Sequence, residues 1–320
     1  MTPESVAPAV DKRKLGTSGI EVSVVGLGCN NFGGRTDFAA TQAVVHRALD
    51  LGVTLFDTAD VYGNKGGSED FLGRILGARR KDVVLATKFG MTMKEPRSGG
   101  ASRRYVVQAA EASLQRLRTD WIDLYQVHYP DPNTPIEDTL RALDELMQAG
   151  KVRAIGCSNF SAAKVAAALD QAAQFKRPAF VTCQDEYSLL VRDIEADLVP
   201  LMCQRGLSLL PYAPLASGFL TGKYRRREPL PAGARLSYSR HHSDDIINER
   251  NWTIVERLGE LAARGGHTVL ELAVGWLLAK PVVASVIAGA THPEQIEQNV
   301  AAAARVPAPA VVVEIDAITR

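Results

Sequence analysis

The sequence predicts an α/β chain of the (β/α)8 type, a TIM barrel, and three observations predict it. Eight short runs of strand-forming residues recur along the chain. Longer stretches with apolar residues three or four apart separate them, the period of an amphipathic helix. The length of 320 residues suits one α/β barrel as well as it suits two domains. Strands that alternate with helices of this length must pair in parallel, and eight such units close a barrel.

In chain order the strands are expected at 24–28 (VVGLG), 53–57 (VTLFD), 83–87 (VVLAT), 123–128 (DLYQVH), 152–156 (VRAIG), 180–184 (FVTCQ), 207–212 (LSLLPY) and 284–289 (ASVIAG). Between them, 37–52, 103–118 and 135–150 read as helices, and Gly52 and Gly150 supply stop signals after the last turns. A doubly wound nucleotide-binding sheet is the rival architecture. Its fingerprint is missing, because GLGCNNFGG does not read G-x-G-x-x-G and no acidic residue follows at the ribose-binding position. Residues 1–12 are expected to be a loose arm, since Pro3 and Pro8 interrupt a short stretch without apolar period, which leaves 13–320 as a single domain.

Composition narrows the function. With 37 basic and 36 acidic residues the chain has no global field for nucleic acid or an anionic membrane, and a small-molecule partner fits better. Cys29, Cys157, Cys183 and Cys203 lie far apart and form no metal-ligand spacing, so free thiols and no metal are expected. The N-terminus lacks the apolar core of a signal peptide and no run is long enough to span a bilayer, so the expected location is the cytoplasm.

Four polar residues carry the chemistry. Asp57, Tyr62, Lys88 and His128 each stand at or just beyond the end of a strand run, where barrel active sites are built. A lysine beside a tyrosine stabilises the phenolate and is expected to lower its pKa from about 10 toward the working range. A carboxylate holds that lysine charged. Alone, Tyr62 reads as a core tyrosine, Asp57 as a turn or cap, and His128 as a strand-end histidine; together they suit proton donation to a carbonyl.

These residues also carry a resemblance. From KLGTSGIEVSVVGLG at residue 14, through FDTADVYG, LATKFG, DLYQVHYPDPNTPIEDTLRALDEL, GKVRAIGCSNF, QDEYSLL and PYAPLASGFLTGKY, to VIAGATHPEQIEQNV ending at residue 300, the chain resembles the aldo-keto reductases. The resemblance implies a barrel that reduces an aldehyde or ketone with NADPH, which lies across the C-terminal mouth. It makes Tyr62 the proton donor, Asp57 the anchor of Lys88, and His128 the group that orients the carbonyl.

It also implies that Ser158, Asn159 and Gln184 hold the nicotinamide carboxamide, although Ser158 or Asn159 alone reads equally as a cap of the helix starting near Ser161. Tyr212 would stack on the nicotinamide ring. Ala213, Pro214, Leu215, Ala216 and Gly218, with Lys223, would wrap the pyrophosphate, and Arg235 would lie near the same half of the cofactor. Gly289, Thr291, Gln295, Gln298 and Asn299 form a strand-to-helix turn suited to an anion. Thr291 and Gln295 are expected to donate to a 2′-phosphate, with His292 adding charge when protonated, so that NADPH is preferred to NADH.

Substrate walls are expected in the loops after Gly28, Phe89, His128 and Tyr224, and the arginine-rich stretch from Tyr224 to Arg240 reads as a solvated lid. The alternative function is a cofactor-binding regulatory barrel with little turnover, as in the potassium-channel β-subunit branch. That branch resembles this chain across PLASGFLTGKY and GATHPEQIEQN but lacks a histidine at the position of His128, which favours an enzyme.

Overall fold

Eight parallel strands form the sheet of the computed structural model, which describes residues 10–93, 99–237 and 245–320. They are β3 (Val25–Gly28), β4 (Leu55–Asp57), β5 (Val84–Phe89), β6 (Ile122–Val127), β7 (Val152–Ser158), β8 (Thr182–Gln184), β9 (Ser208–Leu209) and β10 (Val286–Gly289). Each pairs with its sequence neighbour, and β10 returns to pair with β3. The Leu209 N–H donates to the Val282 carbonyl at 2.7 Å and the Ala284 N–H to the Leu209 carbonyl at 3.0 Å. The two ends of the sheet are thereby joined, so no strand edge is left between β9 and β10.

Residues 1–9 lie outside the described residues, but β1 (Lys12–Lys14) and β2 (Glu21–Ser23) form an antiparallel hairpin. Leu15, Ile20 and Val22 from this hairpin cluster with the inward residues Leu55, Val84, Leu124 and Ala154, so it stoppers the end of the barrel where the strands begin. The Arg13 guanidinium fixes it by donating to the carbonyls of Leu278 and Val283, each at 2.7 Å. Lys12, the last residue of the expected arm, opens this hairpin, and the rest of it lies within the expected domain.

The helices are α1 (Phe38–Asp50), α2 (Tyr62–Leu76), α3 (Arg103–Leu117), α4 (Ile136–Gln148), α5 (Ala162–Gln174), α6 (Leu198–Arg205), α7 (Glu249–Gly265), α8 (Val269–Leu278), α9 (Pro293–Ala303) and α10 (Pro309–Thr319). Local chemistry starts several of them. Asp37, Ser102 and Ser161 accept from the backbone N–H three residues on, and Thr268 with Glu271 makes a reciprocal cap. The large core lies between these helices and the outer face of the sheet. All four cysteines are free, and among the described residues no helix is long and apolar enough to cross a membrane.

Candidate active site at the C-terminal ends of the strands

A cavity of about 970 Å³ opens where the strands end, lined by Asp57, Tyr62 and His128 on one side and by Thr291, Gln295 and Asn299 on the other. At its floor, β4 and β5 run side by side and deliver Asp57 and Lys88 to the interior. The Lys88 Nζ donates to Asp57 Oδ2 at 2.6 Å and to the Thr58 carbonyl at 2.9 Å, and both side chains are buried. Burial alone would lower the pKa of Lys88, but the charges of Asp57 and Tyr62 outweigh it and the net shift is upward. The turn and cap readings of Asp57 are thus excluded. Its other oxygen accepts from Gln184 Nε2 at 2.8 Å and from Gln126 Nε2 at 3.4 Å.

Gln126 was not anticipated. It stands opposite Lys88 in β6 and opposite Gly156 in β7. A Cβ on Gly156 would come within 2.2 Å of the Thr182 hydroxyl, so only glycine leaves room for this interior polar layer. A glutamine inside the otherwise apolar strand LYQV was the signal available.

Tyr62 follows β4 through a tight turn in which the Asp60 N–H donates to the Lys88 carbonyl at 3.0 Å and the Tyr62 N–H to the Ala59 carbonyl at 3.1 Å. The helix kinks directly after it: Gly63, Asn64, Lys65 and Gly66 all have positive φ. Gly63 permits this, because a Cβ there would lie 2.3 Å from the Phe32 carbonyl oxygen. The kink packs Gly63 against the β3 loop, and Lys88 Nζ stands 5.0 Å from the Tyr62 ring centre, near enough for its charge to favour the phenolate.

The expected lowering of the Tyr62 pKa is not what the structure shows. Burial raises it above its ordinary value, and the opposing effect of Lys88, though present, is smaller. Desolvation penalises the phenolate more than one ammonium, itself neutralised by Asp57, can recover. The phenol is therefore firmly protonated, the form a proton donor needs at the start of reduction.

His128 stands across from Tyr62 with ring centres 5.7 Å apart at 81° and stacks on Tyr129 at 5.4 Å. Burial, reinforced by the Lys88 charge, pushes its pKa down to about 3. It is a neutral imidazole, and its Nδ1 is buried without a hydrogen-bond partner among the described residues. His46 lies on α1, away from this cavity, and His241 and His242 lie outside the described residues.

The residues expected around the nicotinamide form one linked set. The Ser158 hydroxyl donates to the Gln184 carbonyl at 2.7 Å, Asn159 Nδ2 donates to the His128 carbonyl at 2.9 Å, and the Tyr212 hydroxyl donates to Asn159 Oδ1 at 2.8 Å. Neither Ser158 nor Asn159 caps α5, since Ser161 does so. Beyond Tyr212 the chain turns with positive φ at Ala213, Ala216, Ser217 and Gly218, and Pro214 and Leu215 line the cavity between them. Lys223, Arg235, Gly289 and Gln298 also line it.

Two observations fit an anionic dinucleotide. Arg35, in the β3 loop, lies close enough to Lys223 to lower its pKa, after burial, by repulsion between cations. An anion between them would relieve that repulsion. Arg35 also donates to the Gly233 carbonyl at 2.6 Å, bridging the β3 loop to the segment that carries Arg235. Arg35 was missed in the sequence, where it follows the glycine-rich GLGCNNFGG. The Thr291 and Gln295 pairing differs from expectation: Gln295 Oε1 accepts from the Thr291 N–H at 2.7 Å and hydroxyl at 3.2 Å, so the threonine is spent on the glutamine and the Gln295 NH2 is the donor left over. The lid stretch is described only to residue 237, and there Tyr224 is buried rather than solvated. Among the described residues no group of three or more His, Cys, Asp or Glu is placed to hold a metal ion.

Comparison with known proteins agrees with this geometry. The sequence profile of the Aldo/keto reductase family matches residues 24–320. A probable voltage-gated potassium channel subunit beta of Arabidopsis thaliana is 34% identical over 92% of this chain and 92% of its own length. A putative subunit of the same name from Schizosaccharomyces pombe is 36% identical over 91% of this chain and 87% of its own. L-glyceraldehyde 3-phosphate reductase of Escherichia coli K12 is 32% identical over 91% and 86%.

Proposed function

The chain belongs to the aldo/keto reductase family, and from that premise we propose that it is an NADPH-dependent oxidoreductase that reduces an aldehyde or ketone to the alcohol. The observation that carries this reading is the buried Lys88, held 2.6 Å from Asp57 with its ammonium 5.0 Å from the ring centre of a Tyr62 that lines the cavity. A reduced nicotinamide, when bound, supplies the hydride for the carbonyl carbon. Ser158, Asn159 and Gln184 would hold its carboxamide, Tyr212 its ring, and the 213–218 turn with Lys223, Arg35 and Arg235 its phosphates.

Tyr62 gives its proton to the carbonyl oxygen as negative charge develops there. The positive charge of the nearby Lys88 stabilises the phenolate that remains, and Asp57 holds that ammonium in place. Neutral His128 offers a ring N–H to the same oxygen without competing as an acid, because its basicity is suppressed. The cavity floor is lined by buried side chains, so this charge forms away from bulk water, where fixed dipoles act strongly.

A second reading has one observation behind it: two of the relatives described above are named as potassium channel subunits. A regulatory barrel would bind the cofactor and turn over little. The test is loss of NADPH absorbance with aromatic aldehydes, α-dicarbonyls, quinones, sugar aldehydes and glyceraldehyde 3-phosphate. Consumption dependent on one of these supports the reductase, whereas tight NADPH binding without consumption supports the regulator.

A further inference from the structure

Directly behind the Tyr62 turn, on the helix side of the sheet, lies a second group of buried acids that the chemistry above does not use. Asp60 is 1% exposed, and neither of its carboxyl oxygens has a hydrogen-bond partner among the described residues. The hydroxyls of Tyr105 on α3 and Tyr125 on β6 are likewise buried without partners. The Tyr105 hydroxyl and the Val61 N–H lie near the Asp60 carboxyl, without the alignment of full hydrogen bonds.

The nearest cation is already engaged. Glu69, fully buried on α2, accepts from Arg116 Nε at 2.7 Å and from the Thr87 hydroxyl at 2.6 Å, and Arg116 also donates to Ser113. Lys88, on β5, turns its ammonium to Asp57 and Thr58. Asp60 therefore faces the Glu69 carboxyl with no donor committed to itself among the described residues. A carboxylate in that position costs several kcal/mol, and a carboxylic acid avoids the cost.

We infer that Asp60 is a positioning residue carried as a neutral acid, and that its ionisation loosens the turn that presents Tyr62 to the cavity. The turn has little slack: the Asp60 N–H is bonded to the Lys88 carbonyl and the Lys65 N–H to the Val61 carbonyl at 3.1 Å. A charge formed at Asp60 is repelled by Glu69 and drawn toward Arg116 and water, and Tyr62, two residues on, moves with it. Burial, then repulsion by Glu69, holds the Asp60 pKa up at about 7, which puts the transition near neutral pH.

The inference rests on the reductase reading for its activity arm alone, and a second arm needs no substrate. In wild type, turnover at saturating carbonyl should fall at least about threefold between about pH 6 and about pH 8.5, and Asp60→Asn should abolish that fall. Glu69→Gln, which removes the like charge and frees Arg116, should move the midpoint to lower pH. For stability the sign is fixed: the folded pKa exceeds the unfolded one, so the contribution is full below about 4 and is lost by about 7. The melting temperature of Asp60→Asn relative to wild type should therefore rise by a few degrees across that window. A relative melting temperature independent of pH overturns the inference whether or not any carbonyl is reduced. Identical activity profiles in wild type and Asp60→Asn also overturn it, as does a midpoint that Glu69→Gln moves upward.

Discussion

The barrel buries charge at both ends of its strands, and the two ends treat it differently. Where the strands begin, Asp123 is ion-paired with Arg80 at 2.8 Å and accepts from Arg153 at 2.7 Å, the Leu85 N–H at 3.0 Å and the Trp121 indole at 3.2 Å. Arg80 in turn donates to Thr119 and to the carbonyls of Val83 and Trp121, and lies 4.5 Å over the Trp121 ring. Among the described residues, no buried side-chain atom of Asp123 or Arg80 lacks a partner. Where the strands end, Asp57 is equally saturated, but the groups it supports are not: the Tyr62 phenol faces a cavity and His128 Nδ1 has no partner among the described residues. Closed networks hold a fold together, whereas a saturated anchor behind unsaturated groups is what a reaction can use.

Breaking the mouth should cost activity more than stability. Lys88→Met is expected to lower turnover by about a thousandfold, within the range for disabling a general acid, while Asp57→Asn gives a milder loss; steady-state kinetics with NADPH check both. Breaking the floor should do the reverse. Arg80→Met leaves Asp123 with one charged partner instead of two and should destabilise the protein by about 3 kcal/mol or more in denaturant unfolding, with kcat of the folded enzyme within about twofold.

A pH experiment sharpens the contrast. The folded-state pKa of His128 is depressed to about 3 from an ordinary 6.5, so its stabilising contribution is present above about 6.5 and is lost as pH falls toward 3. His128→Asn should flatten that part of the stability profile relative to wild type, and unchanged acid sensitivity would show that burial of His128 is not its cause. The smallest effect expected is cofactor choice. With Thr291 spent on Gln295 and no arginine between Gly289 and Asn299, kcat/KM measured with each cofactor should favour NADPH over NADH by less than about tenfold.

Much of this was legible in the sequence because strand ends and apolar periods are local. All eight expected strands exist; half of their ends are trimmed by one to three residues, and β5, β6 and β7 each run one or two residues further at one end. The largest trimming is at 207–212, where regular pairing stops at Leu209 and Tyr212 instead makes an isolated bridge to Glu186 before Ala213 turns to positive φ. Asp57, Tyr62, Lys88 and His128 meet as expected, because each ends a strand or follows one. What stayed hidden depends on burial and on partners distant in the chain. The sign of the Tyr62 shift needs the depth of its pocket, Gln126 and Gln184 converge on Asp57 from strands 69 and 127 residues away, and Asp60 looks like any turn aspartate until its neighbours are seen.

The central claim is that Tyr62 is the proton donor of the mouth, and Tyr62→Phe tests it with the least disturbance, since it removes one oxygen and keeps the ring against His128. Turnover at saturating carbonyl should fall at least about a hundredfold, with NADPH affinity and melting temperature close to wild type. Turnover near the wild-type value at saturating substrate would contradict the account.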